Sequence, residues 1–111
     1  MIDVRNDQLL ASQESLQELS EQPLRGVHAL ALGDIMDEAQ GRLERLHELR
    51  QGLIQRVEDD GLTEQEADEE WREVLEETSE IDAEPLPQSA VEEIEISAGH
   101  LMTLGWLINR D

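Results

Sequence analysis

Several residue types that often carry chemistry are missing from this sequence of 111 residues. It has no cysteine, phenylalanine, tyrosine or lysine, and its only aromatic side chains are those of Trp71 and Trp106. The absence of cysteine excludes disulfide bonds, thiol catalysis and zinc-thiolate sites. Two aromatic residues are too few for the stacking surfaces with which proteins hold single-stranded nucleic acid. Functions that depend on these groups are therefore excluded.

Basic residues and long apolar runs are also scarce. Eight arginines face 28 acidic residues, which gives a formal net charge of -20. Direct nucleic-acid binding is disfavoured, because it depends on lysine and arginine neutralising phosphates. No segment reaches the roughly 20 apolar residues of a membrane span, and the opening residues 1–5 lack the apolar core of a signal peptide. We therefore expect a cytoplasmic protein of one domain with no membrane contact.

The first half of the chain predicts a short extended segment and two helices. Ile2 and Val4 alternate with polar residues, as in a strand. Asn6 is a good N-cap for a first helix over 6–20. A long helix is predicted over 24–58, because its apolar residues repeat in steps of four and three, as in a coiled-coil seam. The seam residues are Leu32, Met36, Ala39, Leu43, Leu46, Leu53 and Val57, and Arg50 interrupts them. Its flanks are widened by Ile35, Leu49 and Ile54, which indicates more than one neighbour.

The middle of the chain predicts an antiparallel helical hairpin. Asp59, Asp60 and Gly61 end the long helix, and a capping box between Thr63 and Glu66 begins another over 63–79. The apolar stripe of this second helix is formed by Ala67, Trp71, Val74 and Thr78. Because the connection is short, the stripe is expected to pack back on the long helix.

The C-terminal part predicts an extended segment and a final helix. Residues 81–96 are interpreted as extended, with a short strand at 91–96 that points Ile94 and Ile96 inward. A capping box at Ser89 and Glu92 leaves a helix open as an alternative there. Ser97 caps a helix over 97–109 that is apolar on almost every side and must be buried in the core or in an interface. The predicted fold is mainly α, a helical hairpin or small bundle with a short extended segment near the C-terminus.

The negative charge is concentrated in one segment. Residues 58–84 hold 14 acids and one arginine, a net charge of -13, whereas residues 1–57 have a net charge of -4. Carboxylates four residues apart on a helix repel each other, so helix stability does not explain this pattern. One interpretation is a row of carboxylates that imitates nucleic-acid phosphates and binds a basic protein groove. The other is a solvated face in a salt-adapted or acid-biased proteome. The candidate partner-binding residues are Asp59, Asp60, Glu64, Asp68, Glu69, Glu70, Glu73, Glu76, Glu77 and Glu80.

Other candidate sites are few. Trp71, Leu104 and Trp106 are candidates for interface anchors or an oligomer contact. The three histidines lack metal-binding or triad spacing, so we expect no metal, cofactor or catalytic residue. The one enzymatic alternative is a magnesium-dependent nucleotide pyrophosphatase similar to the MazG type. It would use E-x-x-E spacings among acids 66–77, faced by Asp34, Asp37 and Glu38.

The order of segments resembles small uncharacterised proteins of tailed phages and prophages. The resemblance is carried by segments 4–10, 46–54, 94–98 and 104–108, which read VRNDQLL, LHELRQGLI, IEISA and LGWLI, and by the acidic helix that contains Trp71. Members of that family are typically lysine-rich in the long helix, whereas this chain has no lysine. The resemblance implies a phage setting and a non-enzymatic role, and it transfers no functional residue.

These observations predict a non-enzymatic, phage-type acidic protein that binds a basic protein surface in the host cell. Its sharpest form is a nucleic-acid-mimicking inhibitor of a defence complex of the CRISPR kind. The alternative is a virion assembly or structural adaptor that acts as a helical oligomer, either through the seam of the long helix or through the apolar C-terminal helix.

Overall fold

A computed structural model describes residues 1–92 and 94–109 of the chain. The elements over these residues are, in order, β1 (Ile2–Arg5), α1 (Asn6–Ala11), α2 (Gln13–Ser20), α3 (Gly26–Asp59), α4 (Glu64–Glu76), β2 (Thr78–Ile81), β3 (Leu86–Pro87), α5 (Gln88–Glu92), α6 (Ala98–Thr103), a 3₁₀ turn (Gly105–Leu107) and β4 (Ile108–Asn109). The predicted mainly α class is confirmed. Among the described residues, no helix combines the length and the apolar character needed to cross a membrane.

The long helix α3 sets the shape of the molecule. Its 34 residues, at about 1.5 Å each, give a length of about 51 Å. The molecule measures 52 × 23 × 23 Å, so α3 runs along its whole long axis. The radius of gyration is 16.2 Å, whereas a compact chain of this length would have about 13 Å. Part of α3 must therefore extend beyond the packed body.

The core forms around the first half of α3. Buried side chains from β1, α1, α2, β2, β3 and the C-terminal turn meet Leu32, Ile35, Ala39, Leu43 and Leu46. Leu53 is also buried, but it lies outside this cluster. The second half of α3 therefore leaves the core and is covered by α4. We call residues 45–77, which comprise this stretch, the turn, α4 and its C-cap, the acidic hairpin.

The packed body also contains two small sheets of two strands each. The predicted extended segment at Ile2 and Val4 is confirmed as β1, which pairs antiparallel with β2. Ile2 faces Ile81 in the register and both are buried, whereas Asp3 faces Glu80 on the exposed side. Like charges directly opposite each other cost stability. The second pair is parallel and places Leu86 beside Ile108.

The predicted first helix over 6–20 is interrupted, and Asn6 is not its N-cap. Ser12 separates α1 from α2, and its hydroxyl donates to the carbonyl of Gln8 at 2.6 Å. Such a bond to the residue four positions earlier commonly bends a helix. Asn6 is the first residue of α1, and its side chain is used in a tertiary contact with the Val74 carbonyl.

The predicted boundaries near the second hairpin helix and the C-terminus are wrong in several places. The helix predicted over 63–79 ends at Glu76, because Thr78–Ile81 pairs with β1. The segment predicted as extended over 81–96 contains α5, which buries Ala90, and Glu93 of the predicted strand lies outside the described residues. The last helix ends at Thr103 rather than Asn109, because residues 105–107 form a 3₁₀ turn and Ile108 pairs with Leu86.

The long helix was predicted more closely. It spans Gly26–Asp59 against the predicted 24–58. Most of the predicted seam is buried, but Met36 and Val57 are only half-buried. Ile35, predicted on the flank, is fully buried, because α3 contacts β2 and β3 as well as the first helices.

Candidate interaction surface

The turn of the acidic hairpin is built by a glycine and a threonine. Gly61 has a φ of 75°, which residues other than glycine adopt at a cost. The amides of Asp60 and Leu62 both donate to the carbonyl of Arg56, at 3.0 and 3.2 Å, and so close the end of α3. Thr63 then caps α4 as predicted, since its Oγ1 accepts the Glu66 N–H at 3.1 Å. The Glu66 carboxylate accepts a second bond from the Thr63 hydroxyl at 2.9 Å.

Helix α4 is poorly covered. None of its 13 residues is buried. The predicted stripe residues Ala67, Trp71 and Val74 are half-buried, and so is Leu75. The helix packs on α3 along one side, and its C-terminal end also contacts α1. Its remaining surface is therefore open to solvent or to a partner.

The structure brings most of the predicted acidic residues together around the hairpin. Glu64, Asp68, Glu69, Glu73 and Glu76 are exposed on α4, and Asp59, Asp60 and Glu77 are exposed at the ends of α3 and α4. Glu70 is half-buried, and its carboxylate pairs with Arg56 at 3.0 Å. Glu80 is separate from this group, because it lies on β2.

Most of these carboxylates are not neutralised within the chain. Among the described residues, Glu70 is the only acidic residue of α4 in an ion pair. Arg72, the one arginine between residues 58 and 84, is exposed. The last turn of α4 has no basic residue to interact with the negative end of the helix dipole. The hairpin therefore presents a surface of strong, uncompensated negative charge.

Two grooves run along the hairpin, one on each side of Leu53. The first, which we call the Trp71 groove, has a volume of about 370 Å³ and a floor formed by Leu53, Ile54, Val57, Ala67 and Trp71. The second, the Leu49 groove, has a volume of about 430 Å³ and includes Leu49, Leu53 and Val74. Ile54 is 43% exposed and Leu49 is 40% exposed, so each groove carries one large apolar side chain in contact with water.

The rims of the two grooves differ in charge. The Trp71 groove is bordered by three acids and one arginine, namely Glu58, Glu64, Asp68 and Arg50. The guanidinium of Arg50 lies 5.9 Å from the centre of the Trp71 ring, within range of a cation-π interaction. The Leu49 groove is bordered by two acids and two arginines, namely Glu48, Glu70, Arg45 and Arg56. The sequence pattern indicated the flanking Leu49 and Ile54, but it did not reveal this difference between the grooves.

Two of the three predicted anchor residues belong to the body. Leu104 is 0% exposed, so its predicted role in an interface is wrong. Trp106 is half-buried, and its Nε1 donates to the buried Ser12 hydroxyl at 2.9 Å. This hydrogen bond ties the C-terminal turn to the break between α1 and α2. Trp71 remains as the candidate anchor on the hairpin.

The final helix is also less buried than its apolar sequence predicted. No residue of α6 is buried, and Met102 is 76% exposed. Ser97 caps the helix as predicted, accepting the His100 N–H at 3.3 Å. The His100 side chain contacts Ser15 through its Nδ1 at 2.8 Å, a packing role. The buried apolar residues Leu104 and Leu107 follow the helix.

The two sets of carboxylates considered for magnesium lie along different stretches of α3. Helix α4 packs beside residues 45–58. Asp34, Asp37 and Glu38 instead border a shallow pocket with Asp82 and Glu84, near the N-terminus. Within the part of the chain that the structure describes, no group of three or more histidine or acidic side chains has the geometry to hold a metal ion.

Comparison with known proteins gives no match: no family model, curated protein or solved structure resembles the chain significantly.

Proposed function

We propose that this chain is a non-enzymatic, phage-type interaction protein whose acidic hairpin binds a basic surface of a partner protein. In its sharpest form the partner surface is a groove that otherwise holds nucleic acid, such as that of a CRISPR surveillance complex. The carboxylates of the hairpin would occupy positions that phosphates take in the nucleic acid.

One observation carries this proposal: the excess negative charge lies on a hairpin that extends from the body of the molecule. Of the 14 acids in residues 58–84, eleven lie in residues 58–77, which belong to the hairpin and contain one arginine. No residue of α4, which forms most of this stretch, is buried. A coat that served only solubility would be spread over the whole surface, whereas the first 57 residues are near balance. A narrow, protruding element can also enter a groove that the wider body cannot.

The test is competition for the DNA-binding groove of a CRISPR surveillance complex. We expect the chain to reduce DNA binding, and we expect Glu69→Gln, Glu70→Gln, Glu73→Gln and Glu77→Gln together to weaken this effect about tenfold or more. The reason is that several charge pairs are lost at once, each worth about 0.2–1 kcal/mol when exposed.

A matched control neutralises four exposed acids outside the hairpin: Glu14→Gln, Glu21→Gln, Asp37→Asn and Glu44→Gln. This variant carries the same net charge as the hairpin variant. We expect it to compete almost as well as the unaltered chain. Equal losses in the two variants would mean that net charge alone matters and would contradict the proposal.

A second candidate function is a structural adaptor that assembles as a helical oligomer. The observation that favours it is the exposure of Leu49 and Ile54 along an open hairpin, since open pairs of helices often bury such residues in a larger bundle. Sedimentation analysis at high salt, where repulsion between the acidic hairpins is screened, distinguishes the two. A monomer at all concentrations would contradict the adaptor function.

A further inference from the structure

The Trp71 groove is an apolar surface that the described residues leave partly exposed to solvent. Helix α4 has an apolar stripe, yet Trp71 and Ala67 on that stripe are only half-buried. Ile54 of the facing helix is 43% exposed. An exposed aliphatic side chain beside an accessible tryptophan is typical of the anchor region of an interface. Water covers this surface in the isolated chain, and a partner helix could replace it.

The negative charge on the rim of the Trp71 groove indicates which kind of partner can bind there. Three acids border the Trp71 groove, and the single arginine lies by the Trp71 ring. A second copy of this chain would bring its own acidic hairpin, with a net charge of -10 over residues 58–77, against this rim. Repulsion would then oppose the apolar contact. A segment with apolar residues along one side and lysine or arginine beside them is complementary to the apolar floor of the groove and to its acidic rim.

The length of the groove suits a helix. Its lining on α3 extends from Arg50 to Glu58, which is about 12 Å at 1.5 Å per residue. Apolar anchors at positions i, i+3 or i+4, and i+7 of a helix extend over nearly the same distance. A helix laid beside α3 and α4 would complete a three-helix arrangement around Ile54 and Trp71.

We propose that the Trp71 groove binds a basic amphipathic helix of the partner protein. This inference rests on the proposed function and deepens it, because it adds an apolar anchor to the electrostatic contact. The partner's apolar side chains cover Ile54 and Trp71, and its basic side chains pair with Glu58, Glu64 and Asp68. Binding of this kind depends on the spacing of the partner's apolar residues as well as on its positive charge.

The test uses three synthetic peptides of equal length. The first is an amphipathic helix with leucines on one side and lysines and arginines beside them. The second is a scrambled peptide of the same composition with no apolar side, and the third has glutamate in place of each basic residue. Binding to the full chain is measured by fluorescence anisotropy of labelled peptide. Two variants provide a matched pair: Ile54→Gln in the Trp71 groove and Leu49→Gln in the Leu49 groove, at positions of nearly equal exposure.

We expect the basic amphipathic peptide to bind most tightly, Ile54→Gln to weaken it about fivefold or more, and Leu49→Gln to change it less than twofold. Circular dichroism of both variants confirms that each is folded.

Equal binding of the scrambled basic peptide, with no effect of Ile54→Gln, would overturn this inference and leave the acidic surface as the binding site. Binding of the acidic peptide would overturn it as well. A dimer of the free chain that Ile54→Gln dissociates would assign the groove to a second copy instead. The competition assay with DNA does not depend on these peptides, so failure of the proposed function is recognised separately.

Discussion

At the scale of single residues, two small polar side chains join parts of the chain that are far apart in sequence. Asn6 is 5% exposed; its amide donates to the carbonyl of Val74 at 2.6 Å, and its oxygen accepts from the Ser79 hydroxyl. Its backbone N–H also donates to the carbonyl of Glu77 at 2.9 Å. Asn6 therefore fixes the end of α4, and with it the base of the acidic hairpin, to the body. Ser12 likewise fixes the C-terminal turn to the body, because its hydroxyl accepts a hydrogen bond from Nε1 of Trp106.

Replacing Asn6 with alanine is expected to lower the free energy of unfolding by about 1–3 kcal/mol, because two half-buried partners lose their hydrogen bonds to this buried side chain. Urea denaturation followed by circular dichroism measures this change. Gln13→Ala is the control, since the exposed Gln13 side chain bonds only the nearby Leu10 carbonyl, at 3.1 Å. A loss for Asn6→Ala no larger than that for Gln13→Ala would contradict the role of Asn6 as a link.

At the scale of elements, the charge of α4 opposes its own stability. Glu73 lies four residues from both Glu69 and Glu77, and it stands near the C-terminal end of the helix, where negative charge is unfavourable. Glu64 lies in the first turn, where negative charge is favourable, although Asp68 repels it. The acids at the C-terminal end are therefore costly for folding, which is consistent with a role in binding.

Glu73→Gln is expected to stabilise α4 by about 0.5–1 kcal/mol at low salt, since it removes two repulsive pairs and an unfavourable dipole interaction. Hydrogen exchange of the α4 amides should slow by about twofold to fivefold. Glu64→Gln should change the exchange little, because its two effects oppose each other. The same slowing for Glu73→Gln in concentrated salt would show that charge is not the cause.

The elements also show which features of the fold a sequence pattern can predict. The long helix, the turn at Gly61, the Thr63 cap and the hairpin were predictable, because each depends on residues close in sequence. The β1–β2 pair was not, since it joins residues 73 to 79 positions apart, and neither was the hydrogen bond between Trp106 and Ser12, which spans 94 positions. The concentration of acids could be counted in the sequence. The two grooves and the difference in charge between their rims could not be predicted, because they arise from the packing of α4 on α3.

At the scale of the whole molecule, the chain consists of a packed body and a hairpin that extends from it. The core of the body ends near Leu46, and Leu53 is buried only within the hairpin. Charge follows the same division, because the strongest negative charge lies on the extended part. Trp71 and Val74 of α4 pack against the core and hold the hairpin to the body, whereas most of the hairpin carboxylates are exposed and can be altered without disturbing the core.

The most direct test of the central claim is the salt dependence of the affinity between the chain and a CRISPR surveillance complex. If the hairpin carboxylates replace phosphates, the affinity should fall steeply, by roughly tenfold or more between about 50 and 200 mM salt. The variant with Glu69, Glu70, Glu73 and Glu77 changed to glutamine should give a shallower dependence. An affinity that is indifferent to salt, or a salt dependence unaltered by these four changes, would contradict the account.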